Sequence, residues 1–291
     1  MSRFGSQLQT NWDWRAACNF MFGGTGSAAL VAGVLAAAPA TPSPVVVLIA
    51  LALVGIGLTM VWLEIGRPWR FLHVFFHPQA SWMTREACVG TVLFPTALAA
   101  LALDSIVLYA LAALLALLFL YCQARILKAA AGVPAWREPT IVPLIMFSGA
   151  VEGCALVVAA SALADSAATW VIIALMVLLG VRVWSWFAYV DALRRAQAPA
   201  PALSVLQGIQ REVLVFGTAL PMALILASLT GIETVPALVL SSAVVIAVGW
   251  RVKHTIVIKA AYKQGYGVGK LRKGRPQPRV PVRRAGDPVQ Y

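Results

Sequence analysis

Residues 63–86 read LEIGRPWRFLHVFFHPQASWMTRE and gather three arginines, two of the three histidines, two glutamates and two tryptophans between long apolar runs. Ionisable groups this close to hydrocarbon are costly unless they are paired or used. Glu64 closes one apolar run and Glu86 opens the next, with Arg67 and Arg85 close by in sequence. Desolvation and a neighbouring arginine pull the proton affinity of such a carboxyl in opposite directions, so it can be set to relay protons. For Arg85 and Glu86 an ion pair tying helix ends together is the equal alternative. His73 and His77 are four apart and share a helical face, from which they could ligate a metal or donate to a carbonyl oxygen. Zinc would want more ligands than the neighbourhood offers, and a membrane b haem would want histidines facing each other from different spans. Two further ionisable residues, Glu152 and Arg182, fall about 15 to 20 Å inside apolar segments at 1.5 Å of rise per residue. Their similar depth permits a buried ion pair or a polar step on a proton path. Gly23, Gly24 and Gly26 in FGGTGSAAL follow no strand, so they do not form a nucleotide loop. Small residues at this spacing let helices approach closely, or leave a slot for a flat ligand.

The elements that must hold these residues are membrane helices. Of 291 residues 60% are hydrophobic and 12% charged, and about 20 apolar residues suffice to cross a bilayer. Eight segments qualify: 16–38, 44–66, 87–103, 105–125, 140–164, 169–190, 213–230 and 235–251. The residues before Ala16 are not a basic n-region and the apolar run is too long for a signal peptide, so the first span is expected to be retained. Cys18, Cys88, Cys122 and Cys154 fall inside spans without ligand spacing and read as packing residues. The short connections after the first, third, fifth and seventh spans hold Asp104, Asp165 and Glu233 and no Lys or Arg. Of the 23 basic residues all but Arg182 lie on the other side, which places both termini and the Glu64 to Glu86 cluster in the cytoplasm. That asymmetry also accounts for the net charge of +12 without nucleic acid as a partner. The tail, basic and rich in Gly and Pro from Lys253 onward, is expected to drape over a partner or lipid headgroups.

The sequence also matches itself. Shifted by 126 residues, Arg85-Glu86 falls on Arg211-Glu212, Pro95 on Pro221 and Arg125 on Arg251; shifted by 125, Met21-Phe22 and Gly24 fall on Met146-Phe147 and Gly149. Two parallel four-helix repeats follow. The organisation read is a cytoplasmic segment at 1–15, a first repeat at 16–128, a second at 129–256 and a tail at 257–291. Only the first repeat has Glu64, Arg67, Arg70, His73, His77 and Trp82 at its cytoplasmic turn, so chemistry is expected there.

The start NWDWRAACNFMFGGTGSAALV, the LEIGRPWRF turn, the SWMTRE opening of the third span and SGAVEG in the fifth resemble the polysulfide-reductase/NrfD-like family of membrane anchor subunits, in the branch found with phenylacetyl-CoA:acceptor oxidoreductases. The resemblance implies an oxidoreductase subunit of a bacterial cytoplasmic membrane with no haem or metal of its own. It would exchange electrons between a quinone, menaquinone or ubiquinone, and a ferredoxin-like iron–sulfur subunit serving a molybdenum- or tungsten-pterin catalytic subunit. The implied quinone pocket lies among the first four spans. Arg67 and His73 would stabilise the reduced quinone, Glu64 and Glu86, with Arg85 beside them, would handle protons, and Gly24, Trp69, His77 and Trp82 would line the slot. Related anchors often have His where Glu64 stands. The positive charges put the partners on the cytoplasmic face. Two other readings compete: a secondary transporter built on a parallel repeat, and a structural anchor without a quinone site.

Overall fold

A computed structural model describes residues 5–64, 68–76, 79, 81–231 and 234–263. Among these, eight helices are long and apolar enough to cross a membrane: Trp14–Ala37, Pro44–Glu64, Trp82–Leu103, Ile106–Ala129, Ile141–Leu163, Thr169–Arg195, Ala200–Leu229 and Thr234–Lys259. The count is the expected one, and the differences lie at the ends. The third span starts at Trp82 rather than 87 because Ser81 caps it, its hydroxyl accepting from the Thr84 N–H at 3.3 Å. The seventh begins at Ala200, well before the apolar run at 213, because an amphipathic segment leads into it. The eighth continues past 251 to Lys259, carried by the apolar residues of TIVI. Lys253 therefore belongs to the bundle interior and not to the tail.

The first and fifth spans are the centre of the bundle, with 61% and 67% of their apolar windows buried against 28% to 44% for the other six. Small residues bring them together. A Cβ on Gly153 would run into the Ala28 backbone, and one on Gly26 would stand 2.5 Å from the Ala50 carbonyl oxygen of the second span. Three apolar clusters follow. One is built from the first four spans, around Leu30, Val47, Leu93 and Tyr109. A second comes from the last four with Val46, around Val158, Leu175, Ile225 and Leu238. The third, at the opposite end, joins both sets through Phe20, Leu127, Trp136, Trp186 and Ile256.

That shared end carries a clasp. Gln7–Leu8 pairs antiparallel with Tyr262–Lys263, and the Gln9 N–H donates to the Ala261 carbonyl oxygen at 2.9 Å. Trp12 stacks on Trp136 at 4.7 Å, and the Trp136 indole N–H donates to the Ile256 carbonyl oxygen at 2.9 Å. The segments before the first span and after the last thus meet at one end of the bundle, beside the region that holds Glu64 and Glu86.

Candidate functional site

The site is assembled at the first turn of the third span. Once Ser81 has started that helix, Glu86 points inward and is only 4% exposed. Its Oε1 accepts from the Asn19 Nδ2 at 3.0 Å. Asn19 opens a π-helical turn, Asn19–Gly23, in the first span, and its own carbonyl oxygen accepts from the Gln123 Nε2 of the fourth span at 2.9 Å. π-Turns of this kind recur at functional sites. Glycine is needed where the second span passes: a Cβ on Gly57 would stand 2.9 Å from the Gly23 nitrogen and 3.1 Å from the Asn19 Oδ1.

Glu86 forms part of the wall of a cleft of about 280 Å³ between the second and third spans, roofed by the 3-10 helix Pro68–Phe76. Leu58, Val61, Trp62, Val74, Phe75 and Phe94 supply most of its lining, and Glu86 is the one ionisable side chain among the described residues that line it. A smaller space of about 30 Å³ lies behind, lined by Glu64 and Glu86 together with Asn19, Phe20 and Met83. Two carboxyls 22 positions apart in sequence therefore meet at one void. Arg15 stands near Glu64, held by Asp13 at 2.6 Å and by the Leu63 carbonyl oxygen at 2.6 Å, and acts on Glu64 electrostatically.

The other residues singled out from the sequence take different places. Arg85 donates to the Gln79 carbonyl oxygen at 2.8 Å, and its guanidinium lies 4.1 Å from the centre of the Trp82 ring. Arg125 lies over the same ring at 4.4 Å, so Trp82 serves as a cation platform and does not line the cleft. His73 is exposed, edge-on to Phe76 at 5.5 Å. Gly24 is drawn away from the cleft: its face is turned to Gln123 and Lys253. Arg67 and His77 lie outside the described residues, as does the side chain of Trp69. Among the described residues no group of three or more His, Cys, Asp or Glu could hold a metal ion.

A second polar centre lies in the bundle interior, and here the sequence-based pairing of Glu152 with Arg182 is corrected. Glu152 is paired with Lys253 at 2.7 Å, both fully buried. Its oxygens also accept from the Thr25 hydroxyl at 2.5 Å and the Ser148 hydroxyl at 3.0 Å, and the Trp250 indole N–H donates to the Thr25 Oγ1 at 2.9 Å. Arg182 donates instead to the carbonyl oxygens of Gly217 and Val245. Gly217 belongs to another π-helical turn, Glu212–Ala219. Lysine wins because its long stem carries the ammonium inward from near the helix end, whereas the guanidinium finds carbonyl acceptors closer by. Sequence reasoning missed Asn19, Gln123, Thr25 and Lys253. The first three were visible as polar residues inside apolar runs, a signal in itself.

Residues 4–109 match the family model described as "Polysulphide reductase, NrfD". That segment contains Asn19, Glu64, Glu86 and the whole lining of the cleft. The match is to the family as a whole and does not select the phenylacetyl-CoA branch. No curated protein matches the chain.

Proposed function

We infer that the chain is the membrane subunit of a quinone-linked oxidoreductase complex, and that the Glu86 cleft receives the quinone headgroup. The observation that carries this reading is a buried carboxyl, in no ion pair among the described residues, set in the wall of a largely apolar cleft. The similarity of the same segment to the NrfD family supports it. A flat, apolar headgroup that takes up electrons must also take up protons, and the lining offers one proton donor and a surface that excludes water.

Glu86 would give its proton to a ring oxygen, with Asn19 holding the carboxyl in orientation. Glu64, across the shared void, would return a proton from the end of the bundle. Leu58, Phe75 and Phe94 would keep bulk water from the reacting oxygen. Electrons would come from an iron–sulfur subunit docked at the clasped end, serving a molybdenum- or tungsten-pterin subunit beyond it. That end is read as cytoplasmic from the distribution of Lys and Arg.

The test is Glu86→Gln in the assembled complex. Quinone-coupled turnover is expected to fall by about 10² to 10⁴ with the yield of complex unchanged; unchanged turnover would overturn the reading. Glu64→Gln is expected to slow turnover less, because it acts one step back from the reacting oxygen. Co-purification with an iron–sulfur protein separates this reading from that of a transporter.

A further inference from the structure

The buried charges of the two polar centres count up in an uneven way. Among the described residues the buried cations are Lys253 and Arg182, and the buried carboxyls are Glu152 and Glu86. Lys253, Arg182 and Glu152 form one cluster: Lys253 bonds Glu152, and Arg182 acts electrostatically on both. This cluster holds two cations and one carboxylate, so it carries one surplus positive charge in a region where charges are weakly screened. Arginine stays protonated in proteins, and Lys253 is held in its ion pair. These four buried groups balance when Glu86 is ionised, and sum to one positive charge when Glu86 holds its proton.

One side chain stands between the two centres. Gln123 is fully buried, and its amide is oriented: the Nε2 end donates to the Asn19 carbonyl oxygen and lies in interaction range of Glu86. The Oε1 end faces Gly24, where the Lys253 ammonium also lies. A Cβ on Gly24 would stand 3.4 Å from the Gln123 Oε1 and 2.7 Å from the Lys253 Nζ. The positive end of the amide dipole is thus turned to the carboxyl and its negative end to the ammonium. Gly23 and Gly24 make the room, since a Cβ on Gly23 would stand 2.5 Å from the Gln123 Nε2.

We propose that the surplus cation of the Glu152–Lys253–Arg182 cluster is the counter-charge for Glu86, transmitted along the oriented Gln123 amide, so that the carboxylate left after proton donation is balanced from within the bundle. Lys253 and Gln123 are then positioning residues that set the charge of the site without touching its ligand. The other groups facing Glu86 are Glu64 on the second span, Asn19 on the first, Cys122 on the fourth and Arg85 on its own turn. The charge argument stands on the burial of these groups, the Glu152–Lys253 bond and the set of the Gln123 amide, while its consequence for turnover rests on the quinone reading.

The experiment is a pH titration of the protonated-carboxyl infrared band of the purified protein, assigned to Glu86 by its loss in Glu86→Gln. Lys253→Gln removes the counter-charge and is expected to move the titration midpoint to higher pH by on the order of one unit. Glu152→Gln leaves the cations uncompensated and is expected to move it to lower pH by a similar amount. The double variant Glu152→Gln/Lys253→Gln keeps the surplus of one and is expected to return it near the starting value. If Lys253→Gln does not fold, the step from Glu152→Gln to the double variant, upward in pH, carries the same sign. A midpoint that stays put in every variant, or moves one way in both single variants, overturns the proposal and leaves a purely structural ion pair. Quinone-coupled turnover of the complex is measured alongside. A band that shifts as expected in a protein whose turnover ignores Glu86 sinks the quinone reading alone, and the reverse pattern sinks the counter-charge alone.

Discussion

Glu86 and Glu212 occupy positions that the 126-residue shift superimposes, yet their surroundings divide them. Glu212 pairs with Arg251 at 3.1 Å, and both are about two-fifths exposed. Glu86 turns inward to Asn19, while Arg125, the residue that the same shift aligns with Arg251, is spent on Trp82 and Tyr121. The difference has a measurable size. Asn19→Ala removes the donor to a buried carboxyl and is expected to lower stability by about 1 to 3 kcal/mol in thermal melting followed by tryptophan fluorescence. Arg251→Ala breaks a half-exposed pair and is expected to cost about 1 kcal/mol or less. The sequence identified Glu64 and Glu86 as candidates because carboxyls are rare beside apolar runs. It did not separate Glu86 from Arg85, since adjacency in sequence says nothing about which way a first-turn side chain faces. Lys253 was hidden for a related reason: a lysine near a span end is read as outside, and only packing shows that its ammonium folds back onto Glu152.

At the scale of elements, eight spans were legible because an apolar run long enough to cross a bilayer leaves few other outcomes. Their ends were not, because they depend on a cap at Ser81, an amphipathic lead-in at Ala200–Arg211 and a π-helical turn at Thr255–Lys259. The π-helical turn at Asn19–Gly23 left no mark in the sequence either, since it reflects how the first span fits between the second and fourth. The glycines were readable as close-approach residues, and the structure shows what they approach. Gly153→Leu drives a side chain into the Ala28 backbone between the two central spans. It is expected to cost about 3 kcal/mol or more, beyond ordinary overpacking because backbone cannot yield, and to appear as loss of a monodisperse peak on size exclusion. Gly180→Leu, at a glycine with open space around it, is expected to leave that peak unchanged.

For the whole molecule, the clasp between Gln7–Leu8 and Tyr262–Lys263 fixes both ends of the described chain at the same end of the bundle. Reporter fusions after Asp165 and after Lys263 are expected to report opposite sides of the membrane, with the Lys263 fusion on the cytoplasmic side; the inverse result would move the proposed docking face outside. The family match covers the first three spans and the start of the fourth, while the surplus charge sits chiefly on spans six and eight. What serves the site from that second set of helices was therefore the least visible part of the sequence. The clasp also sets an order of events during synthesis. Residues 7–9 are made long before residues 261–263, so the clasp itself closes only after the eighth helix. Asn19, whose partners Glu86 and Gln123 lie on the third and fourth spans, needs no such wait. The Glu86 end of the site can therefore form from the first four spans, and the clasp is the later step that ties the last span back to the first.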